Sequence, residues 1–140
     1  MGVLVDINMT QEEVMAVLEP PKASEKTKFV FEGLMLNSEQ PENKRFLFPT
    51  KKGGTQVKAK LRVIDPDPAE NGKGLIYNGV IGQFSFANLC KVVKIMSGTG
   101  VDDEAAIGTE FYAKVTHGEY DRDDGTKGTS VNLSNMRLEV

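Results

Sequence analysis

Gln56-Val57-Lys58-Ala59-Lys60-Leu61-Arg62-Val63 alternates without a break. Successive side chains of an extended chain point to opposite faces. Val57, Ala59, Leu61 and Val63 therefore share one face, and Lys58, Lys60 and Arg62 share the other. The stretch predicts a strand over residues 55–64 with a buried apolar face and an open cationic one. Asp65-Pro66-Asp67-Pro68 ends it, because proline restricts its own backbone and that of the residue before it. A row of cations on the open face of a small β-protein suggests a groove for a polyanion.

Reading outward, residues 26–36 form a first strand. Phe29 and Phe31 fall on one face; Lys28, Val30, Glu32 and Leu34 fall on the other. Gly33 marks a bulge or a bend. A polar loop follows over residues 37–45. Then come Phe46-Leu47-Phe48, Pro49 and a basic turn, Lys51-Lys52-Gly53-Gly54. Beyond the central strand, Asn71-Gly72 signals a turn. A third strand over 74–83 sets Leu75, Tyr77 and Ile81 against Ile76, Asn78 and Val80. Ser85 is the expected N-cap of a helix in which Phe86, Leu89, Val93 and Met96 recur at helical spacing, with Gly98 closing it. A fourth strand starts after Gly108, with Phe111, Ala113 and Val115 alternating with Tyr112, Lys114 and Thr116. A turn on Asp124-Gly125 leads to a fifth strand over 129–138. Near the start, Thr10-Gln11-Glu12-Glu13 is a capping box, Val14, Val17 and Leu18 follow at helical spacing, and Pro20-Pro21 stops that helix.

The sum is a mainly β chain of order β-β-β-α-β-β. Five strands with a helix between the third and fourth is the layout of a five-stranded OB-like barrel, here with a short N-terminal helix. The expected division is an N-terminal arm over 1–24 and a single OB-like domain over 25–140.

A chain of 140 residues, 39% apolar and 26% charged, has the size and composition of one domain with its own core. The net charge of −3 argues against a general nucleic-acid coat. It leaves room for a local basic groove, since phosphate responds to the local field. The single cysteine, Cys90, cannot form an intramolecular disulfide, which fits a reducing compartment. No apolar run approaches the ~20 residues that span a bilayer. Residues 1–8 contain Asp6 and no Lys or Arg, unlike a signal peptide. A cytoplasmic protein is expected.

Three segments of the second half have a recognisable texture: Phe86-Ala87-Asn88-Leu89-Cys90-Lys91, then Ile107-Gly108-Thr109-Glu110-Phe111-Tyr112-Ala113-Lys114-Val115, then His117-Gly118-Glu119-Tyr120. Over about residues 55–138 the pattern resembles bacteriophage-encoded single-stranded-DNA-binding proteins of OB-fold type from the recombination and replication cluster. The resemblance implies a non-enzymatic protein that binds single-stranded DNA in the host cytoplasm, with replication or recombination proteins as further partners and a homo-oligomer as one form. The chain departs from common bacterial versions in that Asn135-Met136-Arg137-Leu138-Glu139-Val140 is not a long acidic recruitment tail.

The candidate nucleic-acid-binding residues are Lys51, Lys52, Lys58, Lys60, Arg62, Tyr77, Tyr112 and Lys114. The cations would track phosphates, with Lys51 and Lys52 in the loop that borders an OB groove. The plain alternative is a solvated strand face, with Glu32 pairing one of the cations. Tyr77 and Tyr112 would stack bases, each stacked base contributing ~1–3 kcal/mol. Phe29, Phe31 and Phe111 belong to the apolar alternation and read as core. Phe46 and Phe48 either anchor the long loop or, if exposed, stack.

Other motifs fail. His117 is the only histidine and has no ligand-spaced neighbours for zinc. Asp121-Arg122-Asp123-Asp124-Gly125 places glycine at the fifth position and Asn132 at the twelfth, where a calcium loop needs glycine sixth and glutamate twelfth. Neither Ser97-Gly98-Thr99-Gly100 nor Lys51-Lys52-Gly53-Gly54-Thr55 has the order of a dinucleotide or phosphate loop. No acid, base or nucleophile set stands out, so no enzyme, cofactor or metal is expected. The competing readings are a protein-interaction module for a host or phage enzyme and a structural virion component.

Overall fold

A computed structural model describes residues 3–4, 10–16 and 20–139. Its elements are α1 (Gln11–Ala16), β1 (Ser24–Leu34), β2 (Phe48–Pro49), β3 (Thr55–Ile64), β4 (Gly74–Val80), α2 (Phe84–Val92), β5 (Met96–Ser97), β6 (Gly100–Val101), β7 (Glu110–Asp121) and β8 (Lys127–Arg137). Val17 and Leu18, expected to continue the first helix, lie outside the described residues, as do most of residues 1–8.

The central strand spans the expected residues. Val57, Ala59, Leu61 and Val63 are all buried, while Lys60 and Arg62 are exposed and Lys58 half-buried. β3 pairs antiparallel with β1 on one side and β4 on the other, and the two-residue β2 extends the β1 side. β1 also pairs with β7, and β7 with β8. The long strands therefore lie in the order β4-β3-β1-β7-β8, all antiparallel. Phe29, Phe31 and Phe111 are fully buried, and Phe29 stacks on Phe111 at 5.8 Å. Rings of this kind bury some 150–250 Å² each and anchor the core.

Four expectations are corrected. First, the barrel does not close: β4 and β8 are the two edges of an open sheet, and three two-residue strands bring the total to eight. Second, Leu34 is 2% exposed and faces inward. A bulge between Phe31 and Gly33 inserts one residue and flips the faces beyond it. Gly33 takes φ +118°, a conformation open to glycine, and the Asp103 carboxylate accepts the freed Leu34 N–H at 2.7 Å. Third, α2 starts one residue before Ser85 and ends at Val92. The Ser85 hydroxyl instead accepts the Val80 N–H at 2.9 Å and ties α2 to β4. Val93 is extended and Ile95 is 1% exposed, so the chain turns inward before Met96 and Gly98, and those two fall in a small hairpin. Fourth, β4 ends at Val80, with Gly82 at φ +88° in the turn into α2.

The chain just before β1 is latched onto the sheet. Lys73 and Glu70 form a buried pair at 2.5 Å. The Glu70 carboxylate also accepts the Lys22 N–H at 2.8 Å, and the Lys73 ammonium donates to the Pro20 carbonyl at 3.3 Å. Burial pushes the Glu70 carboxyl up, but the Lys22 amide and the Lys73 ammonium outweigh it and hold it below its ordinary value. His117 Nε2 stands 2.6 Å from the Pro21 carbonyl oxygen.

Candidate nucleic-acid interface

The outer face of the sheet is built by register. Lys58 lies opposite Asn78, Lys60 opposite Ile76, and Arg62 between Gly74 and Val30. At one end the β2–β3 turn projects exposed Lys51 and Lys52. That turn is fixed by Gly53 at φ +85° and by the Gly54 N–H donating to Thr50 Oγ1 at 2.8 Å. Beyond β1 the same face continues through Lys28, Tyr112 and Arg137, which are direct neighbours across β1, β7 and β8. Lys114 follows Tyr112 on that face, and the Lys26 ammonium stands 5.6 Å from the Tyr112 ring centre.

On the strands of this face, among the described residues, Lys26, Lys28, Lys58, Lys60, Arg62, Lys114 and Arg137 stand with Glu25, Glu32 and Glu110. The three carboxylates pair with Lys114 at 3.3 Å, Arg62 at 3.0 Å and Lys28 at 2.7 Å. The Glu110 hydrogen bond raises the affinity of Lys28 for its proton. Such exposed pairs are screened by water and weak, so an incoming phosphate can replace the carboxylate. Lys51, Lys52 and Lys60 have no ion-pair partner among the described residues. A shallow groove of 340 Å³ runs along Lys60 and Arg62 beside Gly74 and Ile76. On the other side of Lys60 a larger hollow of 660 Å³ carries Glu32, Asp102, Asp103 and Glu104. Glu32 lines both, and the larger hollow also holds Arg45, which pairs with Asp102 at 3.6 Å.

The aromatics are distributed differently from the expectation. Tyr77 lies opposite Ala59, on the inner face and away from the cations. Its hydroxyl donates to the Ser85 carbonyl at 2.7 Å, and burial raises its pKa. Tyr112 is on the outer face but two strands from Lys58. The ring beside the central row is Phe48, half-buried, opposite Gln56, with the Lys58 ammonium 5.4 Å from its centre. Phe46, by contrast, is 5% exposed and anchors the loop, with the Arg45 guanidinium over it at 4.4 Å.

Phe48, which the sequence leaves open between loop anchor and stacking ring, completes the face with Lys26, Lys28 and Arg137, for which the sequence analysis proposes no role. Lys28 was readable from its alternation with Phe29. Phe48 needed the pairing of β2 across the basic turn. Arg137 was hidden by a second irregularity: Asn135 takes φ +50°, β8 gains one residue over β7, and Met136 turns in while Arg137 turns out.

Among the described residues no group of three or more His, Cys, Asp or Glu side chains is placed to hold a metal, and no helix is long and apolar enough to cross a membrane. No protein-family model matches the chain, and no curated protein matches it.

Proposed function

We propose that the protein binds single-stranded DNA on the outer face of its sheet. The observation that carries this is the pairing of rings with cations there. Phe48 stands with Lys58, and Tyr112 with Lys26 and Lys28, on one face of a chain whose net charge is −3. Cations that follow the backbone and rings that accept any base are what sequence-tolerant single-strand binding requires. In this reading the open sheet is a five-stranded OB barrel left unsealed between β4 and β8, and the 35–54 and 121–127 segments are the loops that flank its groove. The setting is phage replication or recombination in the host cytoplasm. Titration of a labelled oligo-dT of about 30 nucleotides, several times the site of one OB fold, tests it. Saturable binding at low salt is expected, and its absence overturns the reading.

One observation favours a second role as a protein-interaction module. Phe84, the first residue of α2, is 88% exposed, with Ile81 at 43% and Met96 at 48%. Ile81 and Met96 line one hollow with Phe86, and exposed apolar surface of this kind serves protein contacts. Retention of a defined protein after nuclease treatment, lost in Phe84→Ala, is the corresponding test.

A further inference from the structure

The unsealed edge of the sheet leaves a cleft of 380 Å³ between β4 and β8. We infer that this cleft receives a nucleobase of the bound strand and gives the protein a base preference; the inference rests on the single-strand reading above. The floor is half-buried Tyr77, Val131 and Leu133, which pack against the core and offer an apolar surface to a flat ring. Around it stand three carboxamides, Asn78 on β4, Asn132 on β8 and Asn88 on α2. The side chains of Asn88 and Asn132 make no hydrogen bond among the described residues, and each carboxamide carries both a donor and an acceptor. That combination matches the mixed donor and acceptor edges of bases, and it offers no charge for a phosphate or a carboxylate.

The position suits the same ligand. Asn78 is the cross-strand neighbour of Lys58 and accepts from its ammonium at 3.4 Å. The cleft therefore runs beside the cation row with only β4 between them. A phosphate held by Lys58 or Lys60 leaves its base free to drop over the β4 edge. The strands on either side of the cleft are themselves held in place. α2 packs so closely on β4 that a Cβ on Gly79 would lie 3.2 Å from Phe86 Cα. Toward the other end, Pro20 and Pro21 are held by Lys73, just before β4, and by His117, the partner of Val131.

The experiment compares dT, dA and dC homopolymers of about 30 nucleotides, a few OB site sizes, with an abasic deoxyribose-phosphate oligomer of equal length. Each is titrated against the full chain and against Asn88→Ala/Asn132→Ala. Both positions are exposed, and an unchanged thermal midpoint will show that the variant folds. The full chain should separate its best and worst homopolymer by about tenfold or more, the range of a well-made base contact. The variant should bind all three within about twofold, with unchanged affinity for the abasic oligomer. Homopolymers that bind equally well, or a preference that survives in the variant, would overturn the cleft assignment alone, including the case in which an extended peptide occupies it. Failure of every oligomer, abasic included, would overturn the single-strand reading as well.

Discussion

Phe48 and Lys58 meet on the outer face of the sheet, with the ammonium 5.4 Å from the ring centre, although ten residues and a tight turn separate them in the chain. The pair places an apolar platform and a cation within reach of one nucleotide. Phe48→Ala should therefore weaken oligo-dT binding by about 1–3 kcal/mol, the contribution of one stacked base. Its salt dependence should stay that of the unaltered protein, because no phosphate contact is removed. Anisotropy titrations at two salt concentrations check both parts.

Lys114 and Lys60 predict different outcomes. Lys114 is held by Glu25 and lies two strands from β3, whereas Lys60 is unpaired beside the groove. Lys60→Ala should reduce the slope of log affinity against log salt by about 0.7, the single-strand value for one phosphate. Lys114→Ala should change that slope less. A slope for Lys60→Ala equal to that of the unaltered protein would remove Lys60 from the phosphate track.

Glu70 and Lys73 predict a stability effect away from the interface. With the carboxylate removed, the Lys73 ammonium would be left buried with only the Pro20 carbonyl. Glu70→Ala should cost about 3–5 kcal/mol, the penalty for an uncompensated buried charge, measured as a lower urea midpoint. The Glu70 carboxyl lies below its ordinary value in the folded protein. Its contribution is therefore fully present above the unfolded-state pKa and is lost as pH falls through the folded one. In acid, the unaltered protein should lose stability that Glu70→Ala lacks from the outset.

Gly33 and Asp103 predict the importance of the bulge. A Cβ at Gly33 would lie 3.0 Å from Asp103 Oδ2, on a backbone at φ +118°. Gly33→Ala should destabilise the fold by about 1–3 kcal/mol through backbone strain. Asp103→Ala should cost about 1.5–3 kcal/mol by removing the charged acceptor of the Leu34 N–H. Thermal melts of the two variants measure both.

Alternation made β3, β7 and the first part of β1 legible in the sequence, because a strand with one buried face writes period two into its residues. It failed where the backbone inserts a residue. The bulge at Gly33 turned Leu34 inward, and the irregularity at Asn135 turned Arg137 outward. Helical spacing runs past the true end of α2 because Val93, buried in extended chain, and Met96, in the small hairpin, stand at positions that mimic a continued helix. Lys58, Lys60 and Arg62 were found because a strand face is local information. Phe48 was not chosen because its place depends on a pairing across a turn. Tyr77 was assigned to stacking although its own alternation with Ile76 and Asn78 put it on the inner face. Whether β4 meets β8 is a property of sheet curvature, which no local pattern encodes.

The central claim is that the β3 cations neutralise the phosphates of a single strand. The most direct measurement is the salt dependence of oligo-dT binding for the unaltered protein and for Lys58→Glu/Lys60→Glu. Both side chains lie on the outer face, so the substitutions should leave the unfolding free energy from urea titration within about 0.5 kcal/mol of the unaltered protein. The account predicts a linear fall of log affinity with log salt for the unaltered protein and loss of binding in the double variant. Salt-independent binding, or a folded double variant that binds as tightly as the unaltered protein, would contradict it.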